Sequence, residues 1–83
     1  MRYILYHATW CPFCRAFAPK FRKMVPEGEE ILLDDQSDPR WLELKIDFVP
    51  TVIAYEGGRE IKRIQAAPHV GITEDMFRDF LNK

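Results

Sequence analysis

The two cysteines of this chain, Cys11 and Cys14, are separated by two residues, and this spacing constrains the fold more than any other feature. An apolar segment, residues 2–8, comes just before the pair, and apolar residues at helical spacing follow it. Residues i and i+3 of a helix share one face, so their sulfurs are close enough to bond. A C-x-x-C that follows a strand and opens a helix is typical of a redox-active dithiol. The free N–H groups and the dipole of the helix N-terminus favour a thiolate at Cys11.

Length and charge limit the class of protein. The chain has 83 residues, which predicts one domain over residues 1–83. Its net charge of −1 argues against a nucleic-acid partner, which calls for a basic surface. No apolar run approaches the roughly 20 residues that span a bilayer, and the N-terminus shows no signal-peptide cleavage pattern. We therefore expect a monomer in the cytoplasm with no membrane association.

The apolar periodicity predicts an α/β fold with the order strand–helix–strand–helix–strand–strand–helix. Strands that are joined by helices are expected to be parallel, and a Gly-Gly turn at residues 56–59 makes the last pair an antiparallel hairpin. The result is a four-stranded mixed sheet with helices on both faces. The predicted strands cover residues 2–8, 30–34, 50–55 and 60–65, and the predicted helices cover residues 12–24, 39–46 and 73–82.

Several motifs make the chain resemble the thioredoxin–glutaredoxin superfamily. The motifs are Trp10-Cys11-x-x-Cys14 followed by Pro19, the tripeptide Val49-Pro50-Thr51, and the hairpin turn Glu56-Gly57-Gly58. The dipeptide Pro12-Phe13 is closer to glutaredoxins. The resemblance implies a thioredoxin fold, a cis peptide bond before Pro50, and a thiol–disulfide oxidoreductase that reduces protein disulfides. It implies no cofactor apart from the redox-active Cys11–Cys14 disulfide.

In this interpretation Cys11 is the nucleophile that attacks a substrate disulfide, and Cys14 then releases the substrate. The predicted substrate-binding residues are Trp10, Pro12, Phe13, Val49 and Pro50. Trp10, Phe13 and Val49, with Ala66 and Ala67, are expected to form an apolar rim around Cys11. Pro12 has no N–H to donate to the Cys11 sulfur. A cis Pro50 would align Val49 to pair with an extended substrate.

Two departures from the superfamily bear on partners. Leu5 stands where thioredoxins carry a buried aspartate, so another group or water has to take the proton from Cys14. The loop Ala66-Ala67-Pro68-His69 replaces a Gly-Gly-Asp-like motif that binds glutathione, and Ala8 stands where a basic residue is expected. We therefore expect the reductant to be a flavin-dependent reductase or a low-molecular-weight thiol, with glutathione binding disfavoured.

Other functions stay open at this point. Within the same class, the chain could be a glutathione-coupled glutaredoxin or an electron donor to ribonucleotide reductase. From a different class, Cys11 and Cys14 could carry a metal ion or an iron–sulfur cluster with an outside ligand. The spacing of His7 and His69 is not a zinc pattern, so no metal site is predicted. His7 and Trp41 are expected to be packing residues.

Overall fold

Seven elements follow one another in the order that the sequence predicts. The computed structural model describes residues 1–83, and all of them are placed. The elements are β1 (Arg2–His7), α1 (Pro12–Met24), β2 (Glu29–Leu32), α2 (Arg40–Glu43), β3 (Thr51–Glu56), β4 (Arg59–Gln65) and α3 (Glu74–Leu81). No helix combines the length and the apolar composition needed to cross a membrane.

The four strands form one mixed sheet in the order β2-β1-β3-β4. β1 pairs with β2 in parallel, and β3 pairs with β4 as an antiparallel hairpin. The hairpin turn needs positive φ at both central positions, and Gly57 and Gly58 supply φ values of 61° and 79°. The four-stranded mixed sheet and the hairpin are therefore confirmed.

The direction of β3 differs from the expectation that strands joined by helices are parallel. β3 runs antiparallel to β1, with Thr51 opposite Tyr6. A parallel crossover has to carry the chain back along the whole sheet. The connection through α2 contains only one helical turn, so the chain enters β3 at the end where β1 and β2 finish. This arrangement brings Val49 and Pro50 to the same end of the strands as the Cys11–Cys14 pair.

The helices cover both faces of the sheet, as predicted. On one face, α1 and α3 pack four phenylalanines against Leu5 and Val52. The Phe17 and Phe77 rings meet edge to face with centroids 5.1 Å apart, which is the preferred geometry for aromatic pairs. On the other face, α2 and its flanking loops cover Tyr6 and Ile53. Successive residues of each strand point to opposite faces, which is why neighbours such as Leu5 and Tyr6 belong to different clusters.

The second helix is shorter than predicted. A helix over residues 39–46 was expected, but α2 covers only Arg40–Glu43. The Asp38 carboxylate accepts a hydrogen bond from the Arg40 N–H, which starts the helix. Lys45 has a positive φ of 55°, and this left-handed conformation ends it. The predicted helix is thus reduced to a single turn.

Candidate active site

Cys11 occupies the N-cap position of α1, at the end of β1. Its backbone is extended (φ −98°, ψ 116°), and Pro12 takes the first helical position, where a missing N–H costs nothing. The Cys11 Sγ accepts a hydrogen bond from the Cys14 N–H at 3.3 Å. The Cys11 thiol donates to the Val49 carbonyl oxygen at 3.5 Å. When the thiol ionises, the Cys14 N–H and the helix dipole stay in place to stabilise the negative sulfur.

Cys14 lies one helical turn further and is completely buried. Burial raises the pKa of its thiol to about 12, and the hydrogen bond with Cys11 adds to this shift. A hydrogen bond with the Ala8 backbone acts in the opposite direction and lowers the pKa. Both cysteines are free thiols in the structure. Because Cys14 is protonated at neutral pH and has no access to solvent, Cys11 is the sulfur that can react first with a substrate.

An apolar groove of about 420 Å³ runs beside Cys11, and we call it the tryptophan groove. Two indole rings form one side: Trp10 stacks on Trp41 with centroids 6.5 Å apart and an angle of 19° between the planes. Each indole N–H donates to a backbone carbonyl, Trp10 to Asp34 at 2.9 Å and Trp41 to Asp35 at 3.1 Å. The remaining lining residues are Cys11, Gln36, Asp47, Phe48 and Val49.

Asp34 fixes the loop that leads into the cysteine pair. Its carboxylate accepts hydrogen bonds from the Thr9 N–H at 2.7 Å and from the Thr9 hydroxyl at 3.0 Å. Arg15 donates to the Thr9 carbonyl oxygen at 3.0 Å from the helix side. Trp10 is thus held between two ordered neighbours although 47% of it is exposed. Such preorganisation reduces the entropy lost when a substrate binds.

A second depression, of about 280 Å³, lies on the Phe13 side of Val49, and we call it the Phe13 depression. Phe13 is 40% exposed and rests against Gly71, where an added Cβ would come within 2.9 Å of its ring. Gly71 also has a φ of 77°, so a larger residue is excluded for two reasons. The other lining residues are Phe48, Val49 and the loop at residues 66–69, and none of the lining side chains is an arginine or a lysine.

The structure brings most of the predicted site residues together. Trp10, Cys11 and Val49 line the tryptophan groove, and Phe13 lines the second depression with Val49. The Val49–Pro50 bond is cis, which confirms that prediction. Pro50 is fully buried and lines neither surface, so it can contribute only by holding Val49.

Sequence reasoning missed three residues that shape the site. Trp41 was expected in the core, but it forms a side of the tryptophan groove. Phe48 is 50% exposed and borders both the tryptophan groove and the Phe13 depression. An apolar residue in a loop next to Val49-Pro50 was a usable signal for Phe48. Asp34 carried no such signal, because its contact with Thr9 depends on the pairing of β1 with β2.

The structure contains no group of three or more His, Cys, Asp or Glu side chains arranged to hold a metal ion. Cys11 and Cys14 could therefore supply only part of a ligand set, as the alternative of a metal or iron–sulfur carrier had assumed. The alternative therefore needs further ligands from outside the chain.

Comparisons with known proteins agree with this geometry. The thioredoxin family model matches residues 2–82. Thioredoxin of Echinococcus granulosus is 33% identical over 73 residues, which cover 83% of this chain and 68% of that protein. A bifunctional thioredoxin reductase/thioredoxin of Mycobacterium leprae is 34% identical over 65 residues, which cover 72% of this chain and only 14% of that protein.

A solved structure shares the fold along nearly the whole chain. The thioredoxin of Fasciola hepatica superimposes with a TM-score of 0.69 at 27% identity, over 96% of this chain and 76% of that one. The family match, the shared fold and the placement of Cys11 at the start of α1 all agree. The chain therefore belongs to the thioredoxin family of thiol–disulfide oxidoreductases.

Proposed function

We propose that this protein is a dithiol electron donor that reduces disulfides in other proteins. One observation supports it above the others: the Cys11 sulfur lies at a helix N-terminus, in contact with a backbone N–H, and opens onto an apolar groove. Its partner Cys14 is buried beneath it and protonated at neutral pH. The two sulfurs therefore have different tasks, as a two-step exchange reaction requires.

The reaction has two balanced steps. The Cys11 thiolate attacks one sulfur of the substrate disulfide, which forms a mixed disulfide and expels the first substrate thiolate. Cys14 then loses its proton and attacks the Cys11 sulfur, which expels the second substrate thiolate. The substrate gains two electrons and takes up two protons, and the protein is left with a Cys11–Cys14 disulfide.

The tryptophan groove and the Phe13 depression would hold the chain on either side of the substrate cysteine. Both are apolar, and they meet at Val49, which is directly beside Cys11. Few fixed polar groups line them, so binding would rely on apolar burial more than on a particular sequence. An extended protein segment with apolar side chains near its disulfide suits these surfaces.

For the return to the dithiol, we propose a flavin-dependent reductase of the thioredoxin reductase type. A matched relative that joins a thioredoxin reductase and a thioredoxin in one chain supports this choice. Glutathione is less well supported, because no arginine or lysine lines the Phe13 depression where its carboxylates would need a partner. A reducing compartment such as the cytoplasm would keep both thiols free between cycles.

Insulin reduction tests the function directly. The protein should reduce insulin disulfides when NADPH and a thioredoxin reductase are supplied, and much more slowly with glutathione and glutathione reductase. Cys11→Ser should abolish turnover in both systems, because no other thiol reaches the solvent. Equal turnover with glutathione would favour a glutaredoxin, and no turnover with any reductant would refute the proposal.

A further inference from the structure

The proposed function requires that a proton leave Cys14, and the structure contains a place for this transfer. A cavity of about 270 Å³ lies against Cys14, and it shares no lining residue with the tryptophan groove. Its volume is sufficient for several water molecules. A proton released from the buried thiol can therefore leave without passing through the surface that a substrate would cover.

One side chain lining this cavity can accept a proton near neutral pH. His7, at the end of β1, lines it together with Cys14. The other ionisable side chains of the lining are Arg15 and Arg22, which stay protonated at any working pH and cannot act as bases. The sequence predicts His7 to be a packing residue, and its imidazole is largely buried.

A carboxylate fixes the orientation of the His7 ring. The His7 Nε2 lies 3.2 Å from the Glu30 Oε1. Glu30 is itself held by two hydrogen bonds from Arg22, at 2.7 and 2.9 Å. Because the bond from Arg22 also keeps the pKa of Glu30 below its usual range, the carboxylate stays ionised. A neutral His7 then donates from Nε2 to Glu30, which leaves Nδ1 as the nitrogen that accepts a proton.

His7 is neutral at physiological pH because it is buried. Burial lowers the pKa of His7 below its ordinary value of 6.5, and Arg22 on α1 lowers it further. The carboxylates of Glu30 on β2 and Asp34 after β2 oppose this shift only in part. Two ionisable neighbours of Cys14, Cys11 and Asp34, both raise the pKa of its thiol and so disfavour the thiolate.

We propose that His7 is the proton acceptor for Cys14 when the mixed disulfide is resolved, with cavity water between them. The Cys14 proton passes to His7 Nδ1, the Cys14 thiolate forms the bond to the Cys11 sulfur, and the substrate thiolate leaves. The imidazolium then returns its proton to the solvent. His7 is thus the general base of the second step, acting through water, and has no part in the first. This role rests on the proposed two-step function.

A single-turnover reaction with the aromatic disulfide DTNB separates the two steps. Attack by Cys11 releases the first thionitrobenzoate, and attack by Cys14 on the mixed disulfide releases the second. In the wild type, the rate of the second release should rise with pH to a plateau, with a midpoint below 6.5. His7→Gln keeps an N–H donor for Glu30 but has no titrating nitrogen. It should slow the second release about 100-fold or more and remove the midpoint, with the first release unchanged.

Glu30→Gln is the matched control on the pH profile. The Glu30 carboxylate raises the His7 pKa. The variant lacks this charge, so the midpoint of its second release should move to lower pH while the plateau rate stays the same. A second release in His7→Gln with the wild-type rate and pH profile would overturn the role of His7. Equal slowing of both releases would also overturn it, because that result indicates a general loss of structure. Only one release from the wild type would refute the two-step function itself.

Discussion

At the scale of single residues, the chemistry depends on a difference between two identical side chains. Cys11 and Cys14 are three positions apart, yet only Cys11 meets the groove, and Cys14 is buried against the cavity that His7 lines. Burial disfavours the charged form of a thiol, so the cost of ionising Cys14 is a property of the folded state. This difference sets the order of the two chemical steps, and it also links stability to pH.

The raised pKa of Cys14 predicts that stability falls in alkaline solution. The folded thiol titrates near 12 and the unfolded thiol near 9.0, so the unfolded state binds fewer protons above pH 9.0. The free energy of unfolding of the reduced protein should therefore decrease as pH rises from 9.0 towards 12. Tyr6, whose pKa burial also raises, contributes in the same direction. Urea titrations should show a steeper decrease for the wild type than for Cys14→Ala, and equal slopes would contradict the prediction.

The residues that the sequence identified share one property: they belong to a local motif. The Cys11–Cys14 pair and the Val49-Pro50 dipeptide could be found because their spacing or identity is informative without knowledge of the fold. His7 and Trp41 could not, since their roles depend on which residues the sheet and α2 bring beside them. His7 lies on the same side of β1 as Leu5, but only the three-dimensional packing reveals the cavity it shares with Cys14.

At the scale of elements, the strong periodic segments were predicted well and the connection between them was not. α1, the hairpin and α3 each carry their own signals: Pro12 at the first turn, Gly57-Gly58 at the turn, and Thr73 as a cap. The direction of β3 has no local signal, because it depends on how far the segment through α2 travels. A one-turn helix cannot return the chain along the sheet, so β3 pairs antiparallel with β1.

Thr73 offers a test of an element that is remote from the chemistry. Its hydroxyl accepts a hydrogen bond from the Met76 N–H at 3.1 Å and caps α3. Thr73→Ala should lower the free energy of unfolding by about 1 kcal/mol, measured as a lower urea midpoint with an unchanged slope. Insulin reduction should be retained, because α3 contributes no residue to the tryptophan groove.

Thr73→Ser provides the control for this cap. It keeps the hydroxyl that accepts from Met76, so its urea midpoint should stay close to that of the wild type. If the serine variant lost as much stability as the alanine variant, the hydroxyl cap would not be the source of the effect.

At the scale of the whole molecule, the charge is nearly balanced but unevenly placed. The net charge is −1, while the segment 33–47 that borders the tryptophan groove has five carboxylates against two basic side chains, Arg40 and Lys45. Arg40 forms an ion pair with Asp38. Asp47 lines the groove and has no ion-pair partner. The groove is therefore apolar with a negative border, which favours a partner that carries positive charge near its disulfide.

This uneven charge predicts a preference among disulfide substrates. Of two disulfide peptides that differ only in a lysine or a glutamate beside the cysteine, the lysine peptide should have the higher kcat/KM. For exposed charges the difference should be about 2- to 5-fold at low salt and should shrink as salt is added. Asp47→Asn should reduce the ratio towards one by slowing the lysine peptide, and it should spare the reaction with hydroxyethyl disulfide, a small uncharged disulfide that does not reach along the groove. Glu56→Gln, at the end of β3 and outside the groove, is the matched charge control. If the kcat/KM ratio of the two peptides did not depend on salt, or changed equally in both variants, the negative border would not select substrates.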